Sequence, residues 1–142
     1  MFRGTFTALV TPFRNGGLDV PAFEKLIETQ IAAGITGIVA IGTTGESPTL
    51  SHDEREEVIR LTVAIANKRC VVLAGTGSNA TQHAVTDTKV AEKLGVDGAL
   101  LVAPYYNKPS QEGLFRHFKA IAEATFMRRF NCKADELFTF FV

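Results

Sequence analysis

The 142-residue chain is 46% hydrophobic and 21% charged, which is enough apolar material for a core and excludes a disordered polymer. Lys and Arg number 15 and Asp and Glu number 15, so no net charge steers the chain to nucleic acid or to an anionic membrane. No apolar run approaches the ~20 residues of a membrane span, and Met1-Phe2-Arg3 leads into strand-like sequence rather than a signal peptide. The expected compartment is the cytoplasm. Cys70 and Cys132 make no disulfide framework and read as inert thiols.

In chain order, Thr5 to Val10 is rich in β-branched and aromatic residues and stops at Thr11-Pro12, which predicts a strand. A polar turn, Arg14-Asn15-Gly16-Gly17, follows. Asp19 is placed to cap a helix with Pro21 in its first turn; Phe23, Leu26, Ile27 and Ile31 share a face before Gly34 ends it.

The unit then recurs. Gly37 to Ile41 predicts a second strand, and Ser51-His52-Asp53-Glu54 is a capping box opening a helix to about Asn67, with Val58, Leu61, Thr62, Ile65 and Ala66 as its buried stripe. Cys70 to Ala74 predicts the third strand, after which Asn79 is expected to cap a helix running to Leu94. Gly98 to Val102 predicts the fourth strand, and Ser110 precedes a helix with Leu114, Phe115, Phe118, Ile121 and Ala122 on one side. Four strand-loop-helix units at roughly 30-residue spacing predict an all-parallel α/β sheet. Periodicity leaves two architectures open, an open doubly wound sheet and part of a (β/α)8 barrel. A dinucleotide fold would need Gly-x-Gly-x-x-Gly, and Gly75-Thr76-Gly77-Ser78-Asn79-Ala80 keeps only the first two glycines.

The chemistry concentrates at Gly42-Thr43-Thr44-Gly45-Glu46-Ser47, between the second strand and its helix. Ligands of parallel α/β proteins bind at strand carboxyl ends, so Thr43 and Thr44 are site candidates. The plainer reading is a turn whose hydroxyls satisfy their own backbone. Tyr105 and Tyr106 after Pro104 read most simply as interface or surface packing. Glu46 is expected to fix its loop by side-chain hydrogen bonds, His52 to be solvated and His117 to be structural. The three histidines show no metal-ligand spacing, so no metal site is expected.

Four segments, Gly4 to Phe13, Gly37 to Ser47 with Glu54, Ala74 to Asn79 and Pro104 to Gly113, resemble the pyruvate-dependent class I aldolases, and within them the dihydrodipicolinate synthase family. The resemblance covers residues 1 to about 125. It implies the N-terminal half of a (β/α)8 TIM barrel, with residues 126–142 as a tail outside the family pattern. N-acetylneuraminate lyase shares the implied fold but usually has Ser-Thr where this chain has Thr43-Thr44, so the synthase type is preferred.

By resemblance the activity is a Schiff-base condensation of pyruvate with aspartate semialdehyde. It implies Thr43 as a proton-relay threonine and Thr44 as the holder of the pyruvate carboxylate. Tyr106 would be a catalytic tyrosine reaching into a neighbouring subunit's site, with Tyr105 at the same interface. A tyrosine with an ordinary pKa near 10 needs such coupling to move protons near neutrality. No cofactor beyond the covalent pyruvate adduct is implied, and a homo-oligomer is. Some members are inhibited by lysine at a pocket corresponding here to Ser47, Pro48, His52, Arg55, Asn79, His83 and Tyr105. Sensitive members have a carboxylate where this chain has His83, so lysine feedback is expected to be weak or absent.

The family's Schiff-base lysine lies on the sixth barrel strand, in sequence with no counterpart here. Residues 126–142 instead carry Phe126, Phe130, Phe138, Phe140 and Phe141, out of 11 phenylalanines in the chain. Lys25, Lys89, Lys93 and Lys119 fall on predicted helices, Lys68 ends one, and Lys108 sits in the fourth loop without a desolvating pocket. The chain alone is therefore expected to be inactive, since a full barrel needs ~250 residues. The alternative from another class is a non-catalytic half-barrel acting as an interaction or structural subunit, whose open face the tail or a second copy would cover.

Overall fold

The computed structural model describes residues 3–125. Its main sheet has four parallel strands, β1 (Phe6–Ala8), β4 (Gly37–Ala40), β5 (Val71–Gly75) and β6 (Gly98–Leu100), in the order β1-β4-β5-β6. Between the first two strands, β2 (Phe13–Arg14) and β3 (Gly17–Leu18) form a short antiparallel hairpin. The expected polar turn is thus the tip of a hairpin, with Asn15 and Gly16 at positive φ of 55° and 81°.

The strand order decides between the two architectures left open by periodicity. Each new strand adds on the same side of the last, so right-handed crossovers put every helix on one face. A doubly wound sheet would reverse direction and cover both faces. Helices α1 (Val20–Ala32), α2 (His52–Ala66), α3 (Thr81–Lys93) and α4 (Gln111–Glu123) accordingly pack in succession, each on the next. This is the first half of a (β/α)8 barrel.

Strand register sorts the sheet into two faces. Ile38 pairs with Val72 and Ala40 with Ala74; these residues pack with Phe23, Ile27, Val58, Ile59, Ala66 and Ala91 into the core under the helices. The alternate residues, Phe6, Val39, Leu73 and Leu100, lie on the other face. Gly37 is required there: a Cβ would stand 2.3 Å from Cε1 of Phe6.

Local chemistry sets most helix starts. Asp19 Oδ1 accepts from the Ala22 N–H (3.2 Å) and Asp19 Oδ2 holds Arg14 Nε (2.7 Å). The capping box at Ser51 and Glu54 is complete: the Glu54 N–H donates to Ser51 Oγ (3.2 Å), and the Ser51 N–H to Glu54 Oε2 (2.8 Å). Those bonds, the main-chain one foremost, hold the Glu54 carboxyl below its ordinary pKa. Ser110 caps α4 through the Gly113 N–H (3.2 Å).

Several expectations are corrected. Asn79 does not cap α3; Ala80 occupies that position, and the Ala80 N–H donates to Ser78 Oγ at 3.2 Å. Strands β1 and β6 end short of Val10 and Val102, which are 51% and 40% exposed, because each edge strand has a partner on one side only. Helix α2 buries Ile59 where Leu61 and Ile65 are only partly covered. On α4 the inward positions are His117 and Ile121, leaving Phe115 55% exposed, one residue off that stripe. Among the described residues no helix is long and apolar enough to cross a membrane.

Candidate functional site

The loop after β4 is tightly turned at the sheet's carboxyl end. Ile41 is 2% exposed at φ +47°, which turns the main chain sharply out of the strand. A 3-10 turn follows at Thr43–Gly45, closed by the Gly45 N–H to Gly42 O (3.0 Å) and the Glu46 N–H to Thr43 O (3.0 Å). Glu46 is left-handed at φ +58°, and its main-chain oxygen accepts both the N–H and the hydroxyl of Thr49, each at 2.9 Å. Glu46 therefore fixes the loop through its backbone, correcting the side-chain role expected of it; the residue itself is exposed.

Beneath that turn the Thr11 hydroxyl, 4% exposed, donates to Gly45 O at 2.8 Å. A Cβ at Gly45 would lie 3.0 Å from Leu9 O, so glycine lets the turn sit directly on the segment after β1. With its floor buried, the turn leaves Thr43 exposed and Thr44 half-buried at its rim. Two hydroxyls are thereby presented on a turn fixed by the Gly45 and Glu46 N–H bonds within it and by the Thr11 bond to Gly45 O beneath it.

The next loop is built by close approach. A Cβ on Gly75 would stand 2.3 Å from Ile41 O, and one on Gly77 2.5 Å from Val102 N. The Thr76 N–H donates to Leu100 O (3.1 Å), and its buried hydroxyl meets that of Thr88 at 2.8 Å. Gly75-Thr76-Gly77 is thus occupied in joining neighbouring strand ends, not in cradling a phosphate.

The third loop carries Tyr105, 56% exposed, and Tyr106, 95% exposed at φ +67°. Asn107 Nδ2 donates to Asn79 O at 3.0 Å and ties this loop to the one before α3. The Thr43-Thr44 pair and the two tyrosines therefore share the sheet's carboxyl end, on loops separated by the β5 loop.

The residues expected at an effector pocket are spread around the α2 and α3 starts. Ser47 and Asn79 are half-buried, whereas Pro48, His52 and His83 are exposed. Arg55 Nη1 pairs with Asp87 Oδ2 at 3.0 Å, both side chains largely covered. A cavity of about 100 Å³ lies between α2 and α3, and of the expected residues His52 and Arg55 line it.

His117 is buried at 4% exposure, its Nδ1 2.9 Å from the Thr81 hydroxyl, in keeping with a structural role. Burial pushes its pKa down. Burial likewise raises the Cys70 thiol above its ordinary value; Cys132 lies outside the described residues. Lys25, Lys68, Lys89, Lys93, Lys108 and Lys119 are all exposed, so no described lysine sits in a pocket that would desolvate it. Among the described residues no group of three or more His, Cys, Asp or Glu could hold a metal. Sequence reasoning missed Thr11 and Asn107, because each acts through a partner distant in the chain, and the left-handed Ile41, because a β-branched residue gives no signal of a positive φ.

The profile of the Dihydrodipicolinate synthetase family matches residues 1–128. The 4-hydroxy-tetrahydrodipicolinate synthase of Chelativorans sp. (strain BNC1) is 61% identical over 126 residues, 88% of this chain and 43% of that protein. The solved synthase from Methylacidiphilum fumariolicum SolV aligns with a TM-score of 0.88 at 59% identity, covering 89% of this chain and 42% of that one. The chloride-inhibited dihydrodipicolinate synthase from Acinetobacter baumannii, complexed with pyruvate, aligns with a TM-score of 0.87 at 52% identity, covering 89% and 44%. The chain spans less than half the length of the relatives it matches. With the matched residues running from the first strand through the fourth helix, the chain belongs to the Dihydrodipicolinate synthetase family.

Proposed function

We propose that this chain supplies the hydroxyl-bearing half of a 4-hydroxy-tetrahydrodipicolinate synthase, an aldolase condensing pyruvate with aspartate semialdehyde in lysine and diaminopimelate biosynthesis. The observation that carries the reading is the Thr43-Thr44 turn, presented at the carboxyl end of β4 and held from below by the buried Thr11 hydroxyl. The pyruvate in the Acinetobacter baumannii relative supports the substrate class.

In this reading the amine of a lysine adds to the pyruvate ketone and water leaves, giving a Schiff base. Loss of a methyl proton makes the enamine, whose carbon attacks the aldehyde and leaves an alkoxide that takes up a proton. Thr44 holds the pyruvate carboxylate, assisted by N–H groups of its loop, and Thr43 and Tyr106 pass the protons. Tyr106 acts in the site of a neighbouring subunit, which its 95% exposure favours, and Tyr105 packs at the same interface. Ser47, His52 and Asn79 border the effector site. By the resemblance the nucleophilic lysine belongs to the part of the relatives that this chain does not span, and every described lysine is exposed. The site works in a cytoplasmic homo-oligomer and needs no metal.

The test is intact mass after incubation with pyruvate and borohydride, for the chain alone and after mixing with the complementary half of the Chelativorans synthase. No adduct on this chain, with an adduct and Thr43-dependent condensation in the mixture, supports the reading. An adduct mapped to one lysine of this chain would overturn the assignment of the nucleophile. Condensation indifferent to Thr43→Val would overturn the relay. A chain that restores nothing but co-purifies with an intact synthase would instead be an interaction subunit.

A further inference from the structure

The loop between β6 and α4 is bent twice into a conformation that side-chain-bearing residues disfavour: Tyr106 lies at φ +67° and Lys108 at φ +45°. For L residues this left-handed region crowds Cβ against the next carbonyl, and a bulky ring there is an outlier. Such a conformation persists only where surrounding contacts over-determine it. Packing within the chain does not supply them, because the Tyr106 ring is 95% exposed and Lys108 is exposed too.

The contacts come from the residue between. The Asn107 N–H donates to Tyr105 O at 2.8 Å, closing a three-residue turn around Tyr106. The Asn107 side chain reaches across to the β5–α3 loop, where Nδ2 donates to Asn79 O at 3.0 Å. Its acceptor is itself anchored: the Ala80 N–H bonds Ser78 Oγ at 3.2 Å, and Thr81 meets buried His117 of α4 at 2.9 Å.

We propose that Asn107 is the positioning residue of this loop, the hydrogen bond from its side-chain Nδ2 to Asn79 O holding Tyr106 in the projecting, left-handed form. The proposal rests on the role proposed for Tyr106, and it extends that role by naming what aims the phenol. A freed loop would relax toward right-handed backbone and let the ring sweep on the nanosecond scale.

Composition makes the test direct. The chain has two tyrosines and no tryptophan, both tyrosines in this loop, so Tyr105→Phe leaves Tyr106 as its only emitter at tyrosine wavelengths. In that background Asn107→Ala deletes the amide, and Asn107→Asp keeps its shape while replacing the donor with a carboxylate. The expected result is a loss of steady-state Tyr106 anisotropy in both variants, with far-UV circular dichroism and thermal midpoint unchanged. Unaltered anisotropy in both variants would overturn the proposal. A loss in Asn107→Ala alone would overturn the donor assignment, and a loss accompanied by a lowered midpoint would reduce Asn107 to a general structural residue. The reading uses no substrate and no second polypeptide, so a failed condensation assay leaves it intact and the reverse also holds.

Discussion

Thr11 and Gly45, separated by 34 residues, are joined by a buried 2.8 Å hydrogen bond from the threonine hydroxyl to the glycine carbonyl. The bond places the segment after β1 under the turn that carries Thr43 and Thr44. Replacing Thr11 with Val keeps the volume but strands the Gly45 carbonyl, a change expected to lower stability by about 1–3 kcal/mol. Urea unfolding monitored by circular dichroism measures it. A loss near zero would mean that the turn holds its shape without the bond.

Gly75 and Gly42 make a matched pair of substitutions. A Cβ on Gly75 would stand 2.3 Å from Ile41 O, whereas one on Gly42 meets nothing nearer than Val39 Cγ1 at 3.6 Å. Gly75→Ala must displace backbone, and is expected to destabilise by about 1–3 kcal/mol or more. Gly42→Ala, whose native φ of -72° suits any residue, is expected to be close to neutral. Thermal unfolding of the two variants side by side checks the contrast, and equal midpoints would refute it.

His117 predicts a pH dependence of stability. Burial lowers its pKa from the ordinary 6.5, so the unfolded chain binds a proton that the folded chain resists. The contribution of neutral His117 is complete above about 6.5 and is lost as pH falls from there toward the depressed folded value. Urea midpoints are therefore expected to fall between pH 7 and pH 5.5, and His117→Gln should flatten that slope. An unchanged slope in His117→Gln would assign the dependence to other groups.

Lysine is expected to bind weakly or not at all. Arg55 is already engaged by Asp87 at 3.0 Å, and exposed His83 brings no carboxylate to meet an ammonium. Calorimetry with lysine should show no saturable heat, and a tight isotherm would contradict the expectation.

Much of this protein was legible in sequence because the signals are local. Asp19, Ser51 with Glu54, and Ser110 cap their helices through residues three positions away, and Gly34 and Gly95 close theirs at positive φ. The four segments around the strand ends carried the family resemblance, since each is a contiguous turn. Asn79 shows the limit of local reasoning. Its residue type suits a cap, yet its main-chain oxygen is taken by Asn107, 28 residues on, and the helix starts at Thr81 with Ala80 as an N-cap that makes no side-chain bond.

Sequence by itself determined the four βα units, most of their caps and the position of the Thr43-Thr44 turn. Only the tertiary structure decided the one-directional strand order, the burial of His117, the left-handed Ile41 and Tyr106, and the Thr11 and Asn107 bonds that hold the site loops. The physical reason is range. A cap or a periodic stripe is settled within a turn or two of chain, whereas a loop's shape at a strand end is settled by neighbouring strand ends that the sequence places 30 or so residues away.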